Sequence, residues 1–222
     1  MSLRIVLTLA RKDLALEART FDILALMAIL AVTLLVAFRV AFDAGSAPVS
    51  AAAALWVTTA FLAALGLARP FHAEAEAGTL DLLFASPATA IDLYLAKVIA
   101  AAAVAAFGAL TTLALVLFLF GPDLVREPLA VALLLALGVV GLAAQASLLS
   151  AASAGARARG ALFAVVFLPL VLPVLLWGVQ GTQAAVDGSG TGTVFTACAL
   201  LAAYDALFLS VNSVLARFVL QG

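Results

Sequence analysis

Charge is what this sequence has least of: only 10% of its residues are Asp, Glu, Lys or Arg, against about a quarter in ordinary soluble domains. Cysteine is nearly missing too. The single thiol, Cys198, lies inside an apolar run with no second cysteine to meet, which excludes a disulfide framework and a Cys-based metal site. One histidine, His72, and two methionines supply no paired axial ligands for a haem. There is no G-x-x-x-x-G-K-[ST] to cradle phosphates, so ATP cannot be bound in the P-loop manner. Nor is there a Ser/His/Asp or Cys/His set, or a carboxylate pair on one apolar run. The expectation is a chain that is not an enzyme, binds no cofactor or metal directly, has no nucleic-acid partner and draws any energy it uses from another subunit.

What is abundant is apolar surface. Hydrophobic residues make up 67% of the chain, more than the roughly 45–50% that a water-soluble core absorbs. A helix needs about 20 apolar residues to cross a bilayer. Runs of that kind lie near 22–42, 49–68, 93–120, 128–152, 160–181 and 193–219. The expected fold is therefore an all-α polytopic membrane protein, with residues 1–222 forming a single membrane domain of six transmembrane helices. The small residues Ala44-Gly45-Ser46-Ala47 invite a signal-peptide reading of the first run, but the long, mixed-charge segment before it and Arg39 and Asp43 beside the cleavage point argue that the run is retained.

Few as they are, the charges orient the chain. With the N-terminus inside, Arg4, Arg11, Lys12, Arg19, Arg69, Lys97, Arg157, Arg159 and Arg217 are cytoplasmic, and only Arg39 and Arg126 are outside. That bias satisfies the positive-inside rule and places both termini in the cytoplasm. Arg39 has Asp43 one helical turn later, and the expected i,i+4 ion pair makes it tolerable near the outer interface.

Residues 2–20 read as an amphipathic elbow helix on the membrane surface: Leu3, Val6, Leu7, Ala10 and Leu14 recur at helical spacing, with Arg4, Arg11, Lys12 and Arg19 on other faces to meet anionic lipid. An ordinary basic retention flank is the alternative. The longest cytoplasmic connection, 69–92, predicts a short helix that Thr79 caps, with Asp81 in its first turn and an end before Pro87. Leu80, Leu83 and Phe84 form its apolar face, suited to a partner's groove or, alternatively, to the membrane surface. Thr89 with Asp92 reads as an acidic capping box that restarts the helix of the third span. Pro169 and Pro173, four apart in the fifth span, remove two backbone hydrogen bonds from one face and mark a bend or hinge.

Polar residues inside the spans should face protein. Asp205 lies near the middle of the sixth span, where a charged side chain costs about 2.5–3.5 kcal/mol. Asn212 and Ser213 continue its face and suggest a polar seam. A structural hydrogen-bond role for Asp205 is favoured over transport or a proton relay. Gln145, Ser147 and Ser150 in the fourth span invite the same reading, and the Ala-rich stretches 100–106 and 151–156 read as packing surfaces.

The loop motif Glu76-x-Gly78-Thr79-Leu80-Asp81-x-Leu83-x-x-Ser86-Pro87 resembles the first cytoplasmic loop of ABC-type exporter permeases that open with an elbow helix. Arg11-Lys12-Asp13-Leu14 with Glu17-x-Arg19, Ala41-Phe42-Asp43-x-Gly45, Leu55-Trp56-Val57 and Leu168-Pro169-Leu170-x-x-Pro173-Val174 are similar to one branch, the CcmB family of haem exporter B proteins. That resemblance implies a bacterial inner-membrane subunit for cytochrome c maturation, with a CcmA-type ATPase, CcmC-type and CcmD-type membrane proteins and a CcmE-type haem chaperone as partners. It implies ATP bound in the partner, haem handled by the complex, and two membrane subunits by symmetry with two ATPases. It also implies that Glu74, Glu76, Gly78, Thr79, Leu80, Asp81, Leu82 and Leu83, with Phe84 on the same helix, dock on the ATPase. A generic permease for a drug or lipid, and an assembly scaffold that moves nothing, are the other readings.

Overall fold

In hydrocarbon a chain must satisfy its own backbone polar groups, and a sequence built on Ala, Leu and Val does so as helices. The computed structural model describes residues 3–43, 50–67, 88–121, 126–153, 159–188 and 191–221. Over these it forms seven helices: α1 (Leu3–Thr20), α2 (Asp22–Asp43), α3 (Ala51–Gly66), α4 (Ala90–Phe120), α5 (Pro128–Ser153), α6 (Arg159–Asp187) and α7 (Thr191–Gln221). Five contain segments long and apolar enough to cross a membrane: Asp22–Phe42, Ala90–Phe120, Pro128–Ser153, Val165–Asp187 and Thr191–Val219.

The apolar run at 49–68 departs from the sequence expectation. Ser50 caps α3, its side chain accepting from the Ala53 amide at 3.1 Å, so the run's first residues lie before the helix. The helix closes at Gly66 after 16 residues. At 1.5 Å per residue that reaches about 24 Å, short of a hydrocarbon core of about 30 Å.

α3 compensates by burial. It packs against α2, α4 and α6, and most of its residues are buried. Trp56 is its anchor. At 1% exposure the indole lies against Gly138 of α5 and Gly178 of α6, where a β-carbon on either glycine would collide with the ring. The ring nitrogen donates to Thr182 Oγ1 at 2.9 Å, so the buried N–H is satisfied.

α5 is the hub, packed against α4, α6 and α7. The capping box at the start of α4 is present as expected: Thr89 Oγ1 accepts from the Asp92 amide and Asp92 Oδ2 accepts from the Thr89 amide, each at 3.2 Å. α1 is helical over the expected segment, but its stripe divides. Val6 and Ala10 pack on Ala96 of α4, whereas Leu3 and Leu7 are exposed. Phe21 joins α1 to α2 in the left-handed region at φ 55°, its amide closing on Glu17 O and its carbonyl accepting from Ala25. A non-glycine residue there costs about 1 kcal/mol, and the cost is accepted where the chain changes direction. On α2, Leu26, Ile29, Val32, Val36 and Val40 form an exposed apolar stripe, suited to lipid.

The indole contact sets a first expectation. Gly178→Ala should overpack the core and lower stability by about 1–3 kcal/mol, and Trp56→Ala should lower it by about 3–5 kcal/mol through the cavity it leaves. Gly192→Ala, with open space around the new carbon, should change little. Thermal unfolding in detergent measures this, and equal melting of the two glycine variants would refute the contact.

Candidate functional site

The polar residues of the spans gather between α4, α5, α6 and α7. Their centre is a backbone atom. The Ala144 carbonyl of α5 accepts from Tyr94 Oη of α4 at 3.1 Å and from Asn212 Nδ2 of α7 at 3.2 Å. The adjacent Gln145 continues the seam, its Oε1 accepting from Asn212 at 3.4 Å and its Nε2 donating to Tyr204 Oη at 3.2 Å. Tyr204 then donates to the Leu170 carbonyl of α6 at 2.6 Å. A buried polar group in hydrocarbon has no water to turn to, so each side chain here is drawn to a neighbouring helix.

Of the intramembrane residues expected from sequence, Gln145 and Asn212 are buried and bonded to each other. Asp205 is buried in the same region, but neither of its carboxyl oxygens has a hydrogen-bond partner. The structural hydrogen bond expected of it is not made: the amides of Gln145 and Asn212 and the Tyr204 hydroxyl donate elsewhere. Ser213 turns back to Leu209 O of its own helix at 2.6 Å, and the Ser147 hydroxyl is buried without a partner, so neither extends the seam. α6 stays helical through both Pro169 and Pro173. Pro169 and Pro173 leave the carbonyls of Val165 and Pro169 without their helix donors, and Tyr204 bonds the neighbouring Leu170 O.

The coupling residues Glu74, Glu76, Gly78, Thr79, Leu80, Asp81, Leu82, Leu83 and Phe84 lie outside the described residues, as does His72. The expected Arg39–Asp43 pair falls outside the described side chains, while the Arg39 guanidinium sits over the Phe120 ring at 5.7 Å. Among the described residues no three His, Cys, Asp or Glu side chains come together as a metal site.

Sequence reading passed over three features. Both tyrosines of the chain, Tyr94 and Tyr204, bond within the seam, and the signal was a phenol inside an apolar run. Trp56 with Thr182 is the second. The third is an ion pair between α1 and α4, Lys97 Nζ to Asp13 Oδ2 at 2.9 Å, with side chains only 6% and 17% exposed. Lys97 reads as a flanking charge in sequence, yet it lies two turns inside an apolar helix, where a lysine needs a counter-ion.

Stranding a buried charge costs about 3–5 kcal/mol, but Asp13 also has Lys12 Nζ at 3.2 Å, so it keeps a partner when Lys97 is removed. Lys97→Met should therefore lower stability by less than that, and adding Asp13→Asn should cost little more. A double-mutant cycle on unfolding in detergent tests the pair, and strictly additive effects would show that the contact contributes nothing.

The buried seam, the shielded pair and nearly all of the described helices fall within the residues matched by one family model, that of the CcmB protein, which covers residues 4–219. No curated protein matches the chain. A match of that extent leaves almost none of the sequence outside it, and the chain belongs to the CcmB family, a membrane component of the cytochrome c maturation and haem-export system.

Proposed function

We propose that this chain is the transmembrane subunit of an ABC-type complex in which a CcmA-type partner hydrolyses ATP to drive haem delivery or release of a haem-loaded CcmE-type chaperone. The family match over residues 4–219 is the observation that carries the reading. The chain itself is no enzyme. ATP belongs to the partner, and haem is cargo of the complex, in keeping with a sequence that holds one histidine and no P-loop. CcmC-type and CcmD-type membrane proteins complete the assembly, with two copies of this chain by symmetry.

The topology that serves this function has six crossings in the inner membrane, an elbow helix at α1 and both termini in the cytoplasm. Charge supports it. Nine Lys and Arg fall on one side and two on the other only when α3 counts as a crossing. The shortfall of α3, about 6 Å, is met by local thinning of the bilayer at fractions of a kcal/mol per Å. The segment Glu74, Glu76, Gly78, Thr79, Leu80, Asp81, Leu82, Leu83 and Phe84 is then cytoplasmic and docks on the ATPase, its apolar face in a groove and its acids setting orientation. Pro169 and Pro173, each lacking a backbone donor, make α6 the helix that docking would bend.

Burying one leucine is worth about 1.5–3 kcal/mol. Leu83→Asp should weaken ATPase association by on the order of a hundredfold while the chain still inserts, and Glu74→Lys should do much less. Co-purification of the ATPase with tagged variants measures both, and parental binding by Leu83→Asp would remove this segment as the docking element. A reporter fused at Gly222 should be active only in the cytoplasm, and periplasmic activity would overturn the six-crossing topology.

A further inference from the structure

Asp205 is the only acidic residue of α7, it is 5% exposed, and neither carboxyl oxygen has a hydrogen-bond partner. No ion pair reaches it among the described residues, where Lys97 is engaged with Asp13. Its surroundings are built by three helices. On α5, a β-carbon at Gly141 would come within 2.7 Å of Asp205 Oδ1; Val174 of α6 and Tyr204 of α7 pack on the same glycine. Gly141 therefore leaves room for the carboxyl group and for little else.

The other titratable groups on these elements do not compensate it. α5 carries none along its length, and α6 carries none between its ends, Arg159 and Asp187. On α4, Asp92 sits in the capping box, Tyr94 donates to Ala144 O, and Lys97 holds Asp13. On α7, Tyr204 donates to Leu170 O, Arg217 lies three turns further along, and Cys198 lies about two turns before. A bare carboxylate in such a place has lost its water and gained no donor. A hard cation does not solve this, since it takes six or more oxygen ligands and the pocket offers one carboxyl group.

We propose that Asp205 is a proton-binding site: the folded bundle holds it as a neutral acid, and the contact between α5 and α7 at Gly141 depends on that proton. This goes beyond the docking and topology argued above and does not rest on them. Loss of the proton sets a charge without a counter-ion against Gly141 and Val174, so the contact loosens.

The test compares the parent protein with Asp205→Asn, which keeps the shape and cannot ionise. At neutral pH the infrared difference spectrum should contain the carbonyl band of a protonated carboxylic acid, present in the parent and missing in the variant. The variant, a neutral group of the same shape, should accumulate, assemble and unfold like the parent. Carboxylate bands alone in the difference spectrum, failure of Asp205→Asn to accumulate, or a clearly lower unfolding temperature for Asp205→Asn would each overturn the assignment.

Discussion

The carbonyl of Ala144 holds the middle of this molecule together. It accepts from α4 and α7 at once through Tyr94 and Asn212, and its neighbour Gln145 extends the connection through Tyr204 to α6. With its own helix bond, this carbonyl meets three donors on two lone pairs, so the two side chains share it in a bifurcated arrangement. Reaching it requires close helices, and α5 permits that because Gly138, Gly141, Ala143 and Ala144 present almost no side-chain bulk. Four helices thus take their register from one turn of α5. Apolar burial is a weak guide in this solvent, since lipid is as greasy as leucine, and directional bonds and tight contacts decide the arrangement instead.

The same reasoning accounts for Trp56. In water an indole would be buried by the hydrophobic effect wherever space allowed; in hydrocarbon, shape and the ring N–H must place it. Gly138 and Gly178 supply the slot and Thr182 the acceptor. α3 can be short because it is fixed laterally to α5 and α6 through this ring instead of by its own length.

What the sequence made legible was what is local. The Thr89–Asp92 box could be read because cap and N3 residue are three apart, and the long spans could be read because hydrophobic runs count themselves. α3 is shorter than its apolar run suggests because Ser50, inside that run, caps the helix start, which hydropathy cannot register. Gln145 and Asn212 stood out as polar residues in apolar helices, but their partners are a backbone carbonyl and two tyrosines up to 68 positions distant, and no spacing rule connects them. Asp205 stood out equally and was expected to be bonded. Its lack of a partner depends on how its neighbours spend their donors, which only the packed bundle shows. The coupling segment was the clearest pattern of all, and it lies outside the described residues.

Lys97 gives these local facts a mechanical consequence. α4 begins at Ala90, directly after segment 68–87, and two turns later Lys97 grips Asp13 of α1 through a pair largely shielded from solvent. Val6 and Ala10 add an apolar contact to Ala96 beside it. A displacement of the start of α4 would pull Lys97 away from Asp13 unless α1 followed, and breaking a shielded contact costs more than moving a helix whose outer face is free. α1 and the start of α4 therefore behave as one body. The same rigid α4 carries Tyr94, one turn before Lys97, into the Ala144 node, so motion at this end of the bundle reaches the seam through a helix and a single hydrogen bond.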